Sequence, residues 1–200
     1  MADFVALGFD LAFKYNNPAI ILADGIIGQM MEKVVLPPFR PRRTEEEIRK
    51  QMPWATQGKL AGHKRNVITS LELDPAIMEE NNIRFQAKYR KIEEAEVRYE
   101  EIAFGSMARI CLKTQEMALA EGIKVGVLRP ITLWPFPSKI IAEYANKVKG
   151  MISVELNAGQ MVEDIRLAVN GKVKVEHFGR LGGIVPTPDE VLNALKQKLM

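Results

Sequence analysis

One cysteine, Cys111, and two histidines, His63 and His177, are all that a chain of 200 residues offers toward thiol or soft-metal chemistry. A lone cysteine forms no disulfide within the chain and cannot by itself hold an iron-sulfur cluster or a cysteine-built zinc site. Cysteine usage this sparse points to the cytoplasm. Cys111 falls on the apolar face of an expected helix, which reads as a small core residue rather than a nucleophile. Neither histidine has a second one at helical or strand spacing, so both read as structural or surface groups and no metal site is expected. Long hydrophobic runs are missing as well, and no stretch is apolar for long enough to cross a bilayer. The first 18 residues carry acids within their apolar run and lack a basic leading segment, unlike a signal peptide. An excess of one charge is also absent: 28 basic against 25 acidic residues give a net charge of +3, which argues for neither a nucleic-acid nor a membrane partner.

What the chain does have is apolar residues, 47% of the total, enough for a real core in one domain or in one domain plus an extra segment. The most distinctive stretch is residues 125–139, VGVLRPITLWPFPSK. It starts as a buried strand and breaks at Arg129-Pro130 into a loop in which Trp134 and Phe136 stand among prolines. Loops are usually polar because water must satisfy their backbone. A loop this apolar and this stiffened by proline is expected to pack against something.

Residues 3–15 have helical periodicity through Phe4, Leu7 and Leu11, ending at Asn16-Asn17-Pro18. Residues 19–23 (AIILA) read as a fully apolar strand, and Asp24-Gly25 turns the chain before Ile26, Ile27, Met30 and Met31. A helix, a strand and an apolar run this short cannot cover their own apolar surface. They either pack on the rest of the chain or end a larger α/β domain whose beginning is absent, the reading favoured here. Residues 37–74 weaken in pattern and become proline-rich and charged, with one short helix that Thr44 and Glu47 could cap reciprocally. Arg40, Arg42 and Arg43 read as a solvated linker rather than an acidic-partner site. The basic, glycine-containing residues 57–65 lack P-loop spacing. Asp74-Pro75 opens a long charged helix to about Tyr99, with the thin stripe Phe85, Tyr89, Ile92, Glu96 and Tyr99.

From residue 101 strand and helix alternate to the end. Strands are expected at 101–104, 124–128, 151–156 and 172–178. Between and after them come helices with inner faces at Ile110, Cys111, Thr114 and Ala118; at Ile140, Ile141, Tyr144, Ala145 and Val148; and at Met161, Val162, Ile165, Ala168 and Val169. Thr187-Pro188-Asp189-Glu190 starts the last helix with a capping box and proline at its first position. This pattern predicts an α/β fold, a three-layer αβα sandwich with a mainly parallel sheet and right-handed crossovers.

In such sheets the carboxyl ends of the strands hold ligands or partners. Those ends supply the candidate contacts Gly105, Ser106, Arg129, Trp134, Glu155, Asn157 and Gln160. Gly105-Ser106 could offer free N–H groups to an anion, though any tight strand-to-helix turn uses the same residues. Glu155, Asn157 and Gln160 could hold a polar ligand or a partner's backbone, but no second carboxylate or activated base accompanies them. The glycine-rich GRLGG lacks the GxGxxG spacing of a dinucleotide fingerprint. No catalytic or metal-binding residue is assigned, and the loops suit docking better than reaction.

VLRPITLWPFPSK, VELNAGQMVEDIRLAV and FGRLGGIVPTPDEV, with DGIIGQMMEKVVLP near the start and AEVRYEEIAFGSMARI before the repeat of strands and helices, resemble the alpha subunit of 2-oxoacid:ferredoxin oxidoreductases, most like the 2-oxoisovalerate (ketoisovalerate) type. The resemblance runs in order along almost the whole chain and places it in the carboxyl-terminal portion of that subunit. It implies a remnant of an α/β thiamine pyrimidine-binding domain at 1–36, a linker with a long charged helix at 37–100, and a transketolase carboxyl-terminal-like domain at 101–200. It further implies oxidative decarboxylation of a 2-oxoacid to an acyl-CoA with reduction of ferredoxin. Thiamine diphosphate, Mg2+ and iron-sulfur clusters would belong to the whole complex, with none expected on this chain alone. The implied partners are beta and ferredoxin-type subunits, with ferredoxin and CoA at the level of the complex. The apolar surfaces at residues 20–31 and 85–99 also make a homodimer an expectation. Two alternatives stay open: a small-ligand site for CoA or an effector in the loops, and the equivalent docking domain of a transketolase or of an oxoacid dehydrogenase beta chain.

Overall fold

The computed structural model describes residues 1–56, 58, 64–100 and 106–200. The strand expected at 101–104, with Gly105, and most of the basic stretch at 57–65, with His63, lie outside the described residues. The chain forms two compact units, one of residues 1–22 and 31–88, the other of residues 23–30 and 89–200. No described helix is long and apolar enough to cross a membrane.

In the first unit α1 (Ala2–Tyr15) ends on Asn16, which takes the left-handed conformation (φ 45°) and returns its N–H to the Ala12 carbonyl. Asparagine tolerates that region because its short polar side chain can bond locally. Arg40 grips the Asp10 carboxylate with both guanidinium nitrogens. None of the described residues in this unit is buried. The strand expected at 19–23 is not seen: residues 19–22, the part of it in this unit, are extended and join no ladder among the described residues. A strand without neighbouring strands has nothing to donate to, and Ile20 and Leu22 are left 82% and 70% exposed.

The short helix α2 (Gly25–Gln29) belongs to the second unit and is capped by Asp24 Oδ1 on Ile27 N at 2.7 Å. Back in the first unit, α3 (Glu45–Gln51) carries the reciprocal Thr44/Glu47 capping box expected of it. Helix α4 (Pro75–Ala95) passes from the first unit to the second after Lys88.

The second unit owns the core. β1 (Tyr99–Glu100) is followed by α5 (Ser106–Ala120), β2 (Arg129–Pro130), α6 (Ser138–Tyr144), β3 (Gly150–Glu155), α7 (Met161–Val169), β4 (Lys174–Gly179) and α8 (Pro188–Leu199). β3 and β4 run parallel in the register Gly150↔Lys174 through Glu155↔Gly179, with α7 as the crossover. Ile141, Ala145 and Val169 form a buried nucleus with Met151, Ile165, Val173 and Val175 packed around it, which seats α6 and α7 on one face. Neighbouring residues of a strand point to opposite faces. Gly150, beside Met151, accordingly faces the other way: a Cβ there would stand 2.9 Å from Leu199 of α8. Val191, Leu192, Ala194 and Leu195 of α8 are buried on that side, as are Thr114 and Ala118 of α5. Thr114 Oγ1 donates within reach of the Pro188 carbonyl at 3.2 Å, tying α5 to the start of α8. Helices therefore cover the parallel ladder on both faces, the three-layer α/β arrangement the periodicities imply.

Among the described residues the parallel ladder lacks the strand expected at 124–128. Residues 124–128 join no ladder among the described residues; Gln115 Nε2 holds them instead by a 2.6 Å bond to the Val125 carbonyl. The chain becomes a strand only at Arg129–Pro130, and there it pairs antiparallel with Tyr99–Glu100. Proline lacks an N–H and suits such a short edge. The Thr187/Glu190 capping box starts α8 as expected.

Candidate functional site at the strand ends

β3 and β4 end side by side, and their closest approach is set by a glycine. A Cβ at Gly179 would fall 2.2 Å from the Asn157 carbonyl oxygen and 2.8 Å from His177 Nε2. No side chain fits in such a gap, so the loop after β3 can lie against β4 only where β4 carries glycine. Arg180 N–H then donates to the Glu155 carbonyl at 3.3 Å.

Glu155 is the centre of this edge. It is 5% exposed, the last residue of β3, and its carboxylate faces the start of α7. Oε1 accepts from Ser153 Oγ at 2.7 Å and from Val162 N at 2.9 Å. Oε2 accepts from Gln160 N at 3.0 Å and from Met161 N at 2.9 Å. A carboxylate has room for about four such bonds, so none is left for a ligand. The first N–H groups of a helix lack intrahelical partners and carry partial positive charge; a buried carboxylate answers both needs. Burial alone pushes the Glu155 carboxyl up, but the Ser153 hydroxyl and the three backbone N–H groups outweigh it and hold the group below the usual range.

The remaining candidates divide between two places. Asn157 Oδ1 accepts from Gly159 N at 2.7 Å, closing a local turn in which Gly159 has φ +108°. Gln160 is the residue before α7; its N–H is bound to Glu155 and its side chain is exposed. These three residues come together. Arg129 and Trp134 form a second group on the β2 loop. Arg129 Nη1 pairs with Glu100 Oε2 at 3.2 Å, and both side chains are partly covered. Trp134 is 51% exposed and meets Tyr89 edge to face, with ring centroids 5.8 Å apart. The loop is split by residue: Pro135 and Pro137 are buried and Phe136 packs on the core, while Leu133 and Trp134 face outward. Thr132 and Ile131 N–H groups anchor the start of the loop on the Arg98 carbonyl at 3.1 and 3.0 Å. Ser106 opens α5.

Sequence reasoning passed over Ser153, although it stands two residues before Glu155 and a period of two puts both on one face of β3. It also passed over the end of β4, where His177 Nε2 and Arg180 Nε are buried without a hydrogen-bond partner. Cys111 lies half-buried on α5, and burial pushes its thiol up to about 11, which leaves it protonated and unreactive at neutral pH.

A parallel ladder closed by an internal carboxylate, with helices on both faces and an outward aromatic loop, defines a three-layer α/β domain. Residues 98–191 match the family model of the pyruvate:ferredoxin oxidoreductase core domain II. Over 207 aligned residues the chain is 42% identical to ketoisovalerate oxidoreductase subunit VorB of Methanothermobacter thermautotrophicus, covering 98% of this chain and 57% of that relative. It is 25% identical to 2-oxoglutarate synthase subunit KorA of Methanothermobacter marburgensis, covering 96% of this chain and 60% of the relative. The chain is thus similar to subunits of 2-oxoacid oxidoreductases and spans little more than half the length of those it matches. Among solved structures, a 2-oxoglutarate:ferredoxin oxidoreductase from Magnetococcus marinus, determined with 2-oxoglutarate, coenzyme A and succinyl-CoA bound, shares the fold. The TM-score is 0.53 at 23% identity, over 64% of this chain and 24% of that one.

The Glu155 cap predicts a pH dependence. A carboxyl whose pKa is lower folded than unfolded adds stability that is present above about pH 4.3 and lost as pH falls through the folded value. Glu155→Gln is expected to cost about 1–3 kcal/mol at neutral pH, since an amide cannot satisfy all four donors. Its stability should also decline less on acidification than that of the parent chain. Urea midpoints across the acid range check both; equal midpoints at neutral pH contradict the cap.

Proposed function

We propose that this chain is part of a 2-oxoacid:ferredoxin oxidoreductase that converts a branched-chain 2-oxoacid and CoA to an acyl-CoA and CO2, delivering two electrons to ferredoxin and releasing a proton. The observation that carries the proposal is the 42% identity to ketoisovalerate oxidoreductase subunit VorB across 98% of the chain. The 25% identity to a 2-oxoglutarate synthase subunit over a similar span favours the branched-chain substrate. Residues 101–200 serve in this reading as a transketolase carboxyl-terminal-like domain that docks neighbouring subunits and frames a reaction centre built elsewhere.

Three physical points support a docking role over a catalytic one. Glu155, the buried carboxylate at the strand ends, spends every acceptor on the fold. Cys111 is the only thiol and is held protonated by burial. Trp134 and Leu133 expose apolar surface on a loop whose prolines are buried, so the loop can meet a partner without much further ordering. Thiamine diphosphate would supply the carbanion chemistry at the complex level, with Mg2+ on its diphosphate. Iron-sulfur clusters would need thiolates that one cysteine cannot provide.

Incubated alone with thiamine diphosphate, Mg2+, CoA, oxidised ferredoxin and 2-oxoisovalerate, the chain is expected to form no acyl-CoA. The complex isolated through a tag on this chain is expected to turn over 2-oxoisovalerate faster than 2-oxoglutarate. Acyl-CoA formed by the chain alone, or the opposite substrate order, contradicts the proposal. Trp134→Ala should lower the yield of complex recovered through the tag while changing the stability of the isolated chain by no more than about 1 kcal/mol. Loss of the folded state on thermal denaturation would show that the tryptophan belongs to the core.

A further inference from the structure

Among the described residues β4 has one strand neighbour, β3, so its other side is an edge of the ladder. Such an edge presents a row of backbone groups with which a strand of another chain can pair. At six residues β4 has the ordinary length of a strand and is a full template for that pairing. Which groups point outward follows from the alternation of an extended backbone: the N–H and C=O of one residue lie on one side and those of the next on the other. Arg180 donates its N–H to the Glu155 carbonyl of β3. Counting back in twos, Phe178 and Glu176 face β3, while His177 and Val175 turn their carbonyls outward.

Both outward carbonyls are taken by basic side chains. Lys198 Nζ, from the last turn of α8, donates to the His177 carbonyl at 2.7 Å. Arg166 Nη2, from α7, makes a longer and weaker bond to the Val175 carbonyl at 3.4 Å. Since α7 and α8 lie on opposite faces of the ladder, the edge is crossed from both sides. Each crossing is steadied by a further bond. Arg166 Nη1 pairs with Glu163 Oε1 at 2.9 Å, and Lys174 Nζ donates to the Lys198 carbonyl at 2.6 Å, which fastens the end of α8 beside the start of β4. A strand arriving at this edge has to displace two charged donors, whose bonds are stronger than those of its own amides, and leave two cations against its backbone.

We infer that Arg166 and Lys198 close the outer edge of β4 to strand addition, so that a second copy of this chain cannot extend the sheet by pairing its own β4 antiparallel across a two-fold axis. The inference rests on the ladder alone and is independent of the enzyme reading above.

Arg166→Met combined with Lys198→Met tests it, since methionine keeps much of each apolar stem and removes the donor. Sedimentation velocity of the full chain and its variant, side by side over a range of concentrations, reads association, and amide exchange reads where it occurs. The double variant is expected to reach about twice the weight-average mass of the parent or more, as two edges pair. The outward Val175 and His177 amides should exchange at least about tenfold more slowly in the associated form than in the parent. Lys198→Arg, which keeps a donor for the His177 carbonyl, should behave as the parent does. Far-UV circular dichroism confirms folding, and if the double variant fails to fold, Lys198→Met alone, which breaks the shorter of the two bonds, decides on the same readings. A variant with the mass of the parent at every concentration, association that leaves the outward amides unprotected, association of Lys198→Arg, or a parent whose Val175 and His177 amides become protected as concentration rises overturns the inference.

Discussion

The interaction on which the rest of the second unit depends is the Glu155 carboxylate at the head of α7. A parallel β-α-β unit must stop its strand, turn, and start a helix whose first N–H groups have no partner within the helix. Here the last residue of β3 supplies the acceptor for three of those groups, and Ser153, two residues earlier on the same face, orients the carboxylate. The strand end, the turn and the helix start thereby become one rigid piece. Gly179 lets β4 close against that piece, and Arg180 returns a bond to the Glu155 carbonyl.

That constraint bears on function. Helix starts at the carboxyl edge of a parallel sheet are ready anion sites in many α/β proteins. This one is plugged from inside, so an external phosphate or carboxylate finds no free donors at α7. The large apolar side chains left outward in this unit include Leu133 and Trp134, on the separate loop after β2. Residues 98–191 match the pyruvate:ferredoxin oxidoreductase core domain II, and contact between polypeptides is the role proposed above for that loop. The first unit tells a similar story, since its helix α1 and residues 19–22 leave large apolar side chains in water.

Much of this was legible in the residues. The capping boxes at Thr44 and Thr187 announce their helices because each motif satisfies two donors with local residues only. Helices α1, α5 and α7 follow their apolar periodicity, and the strands read at 151–156 and 172–178 are seen, parallel, at Gly150–Glu155 and Lys174–Gly179. The misses share a cause, since each depends on partners far along the chain. AIILA at 19–23 has the composition of a buried strand but no ladder partner among the described residues. Residues 124–128 likewise stay outside a ladder, and the β2 pairing turned out antiparallel because Tyr99–Glu100 reaches it from the end of α4. Glu155, Asn157 and Gln160 were correctly grouped by strand position. That the carboxylate points inward could not be read, because nothing in local sequence says which side of a turn the following helix will start on.

Native-state hydrogen exchange of the Gln160, Met161 and Val162 amides tests the internal cap most directly. With the carboxylate in place, all three should exchange only through opening of the whole second unit, as slowly as the amides in the β3–β4 ladder. Exchange of these amides at the rate of an unprotected helix start, while the ladder stays protected, would show that Glu155 does not hold them and that its carboxylate is free for another use.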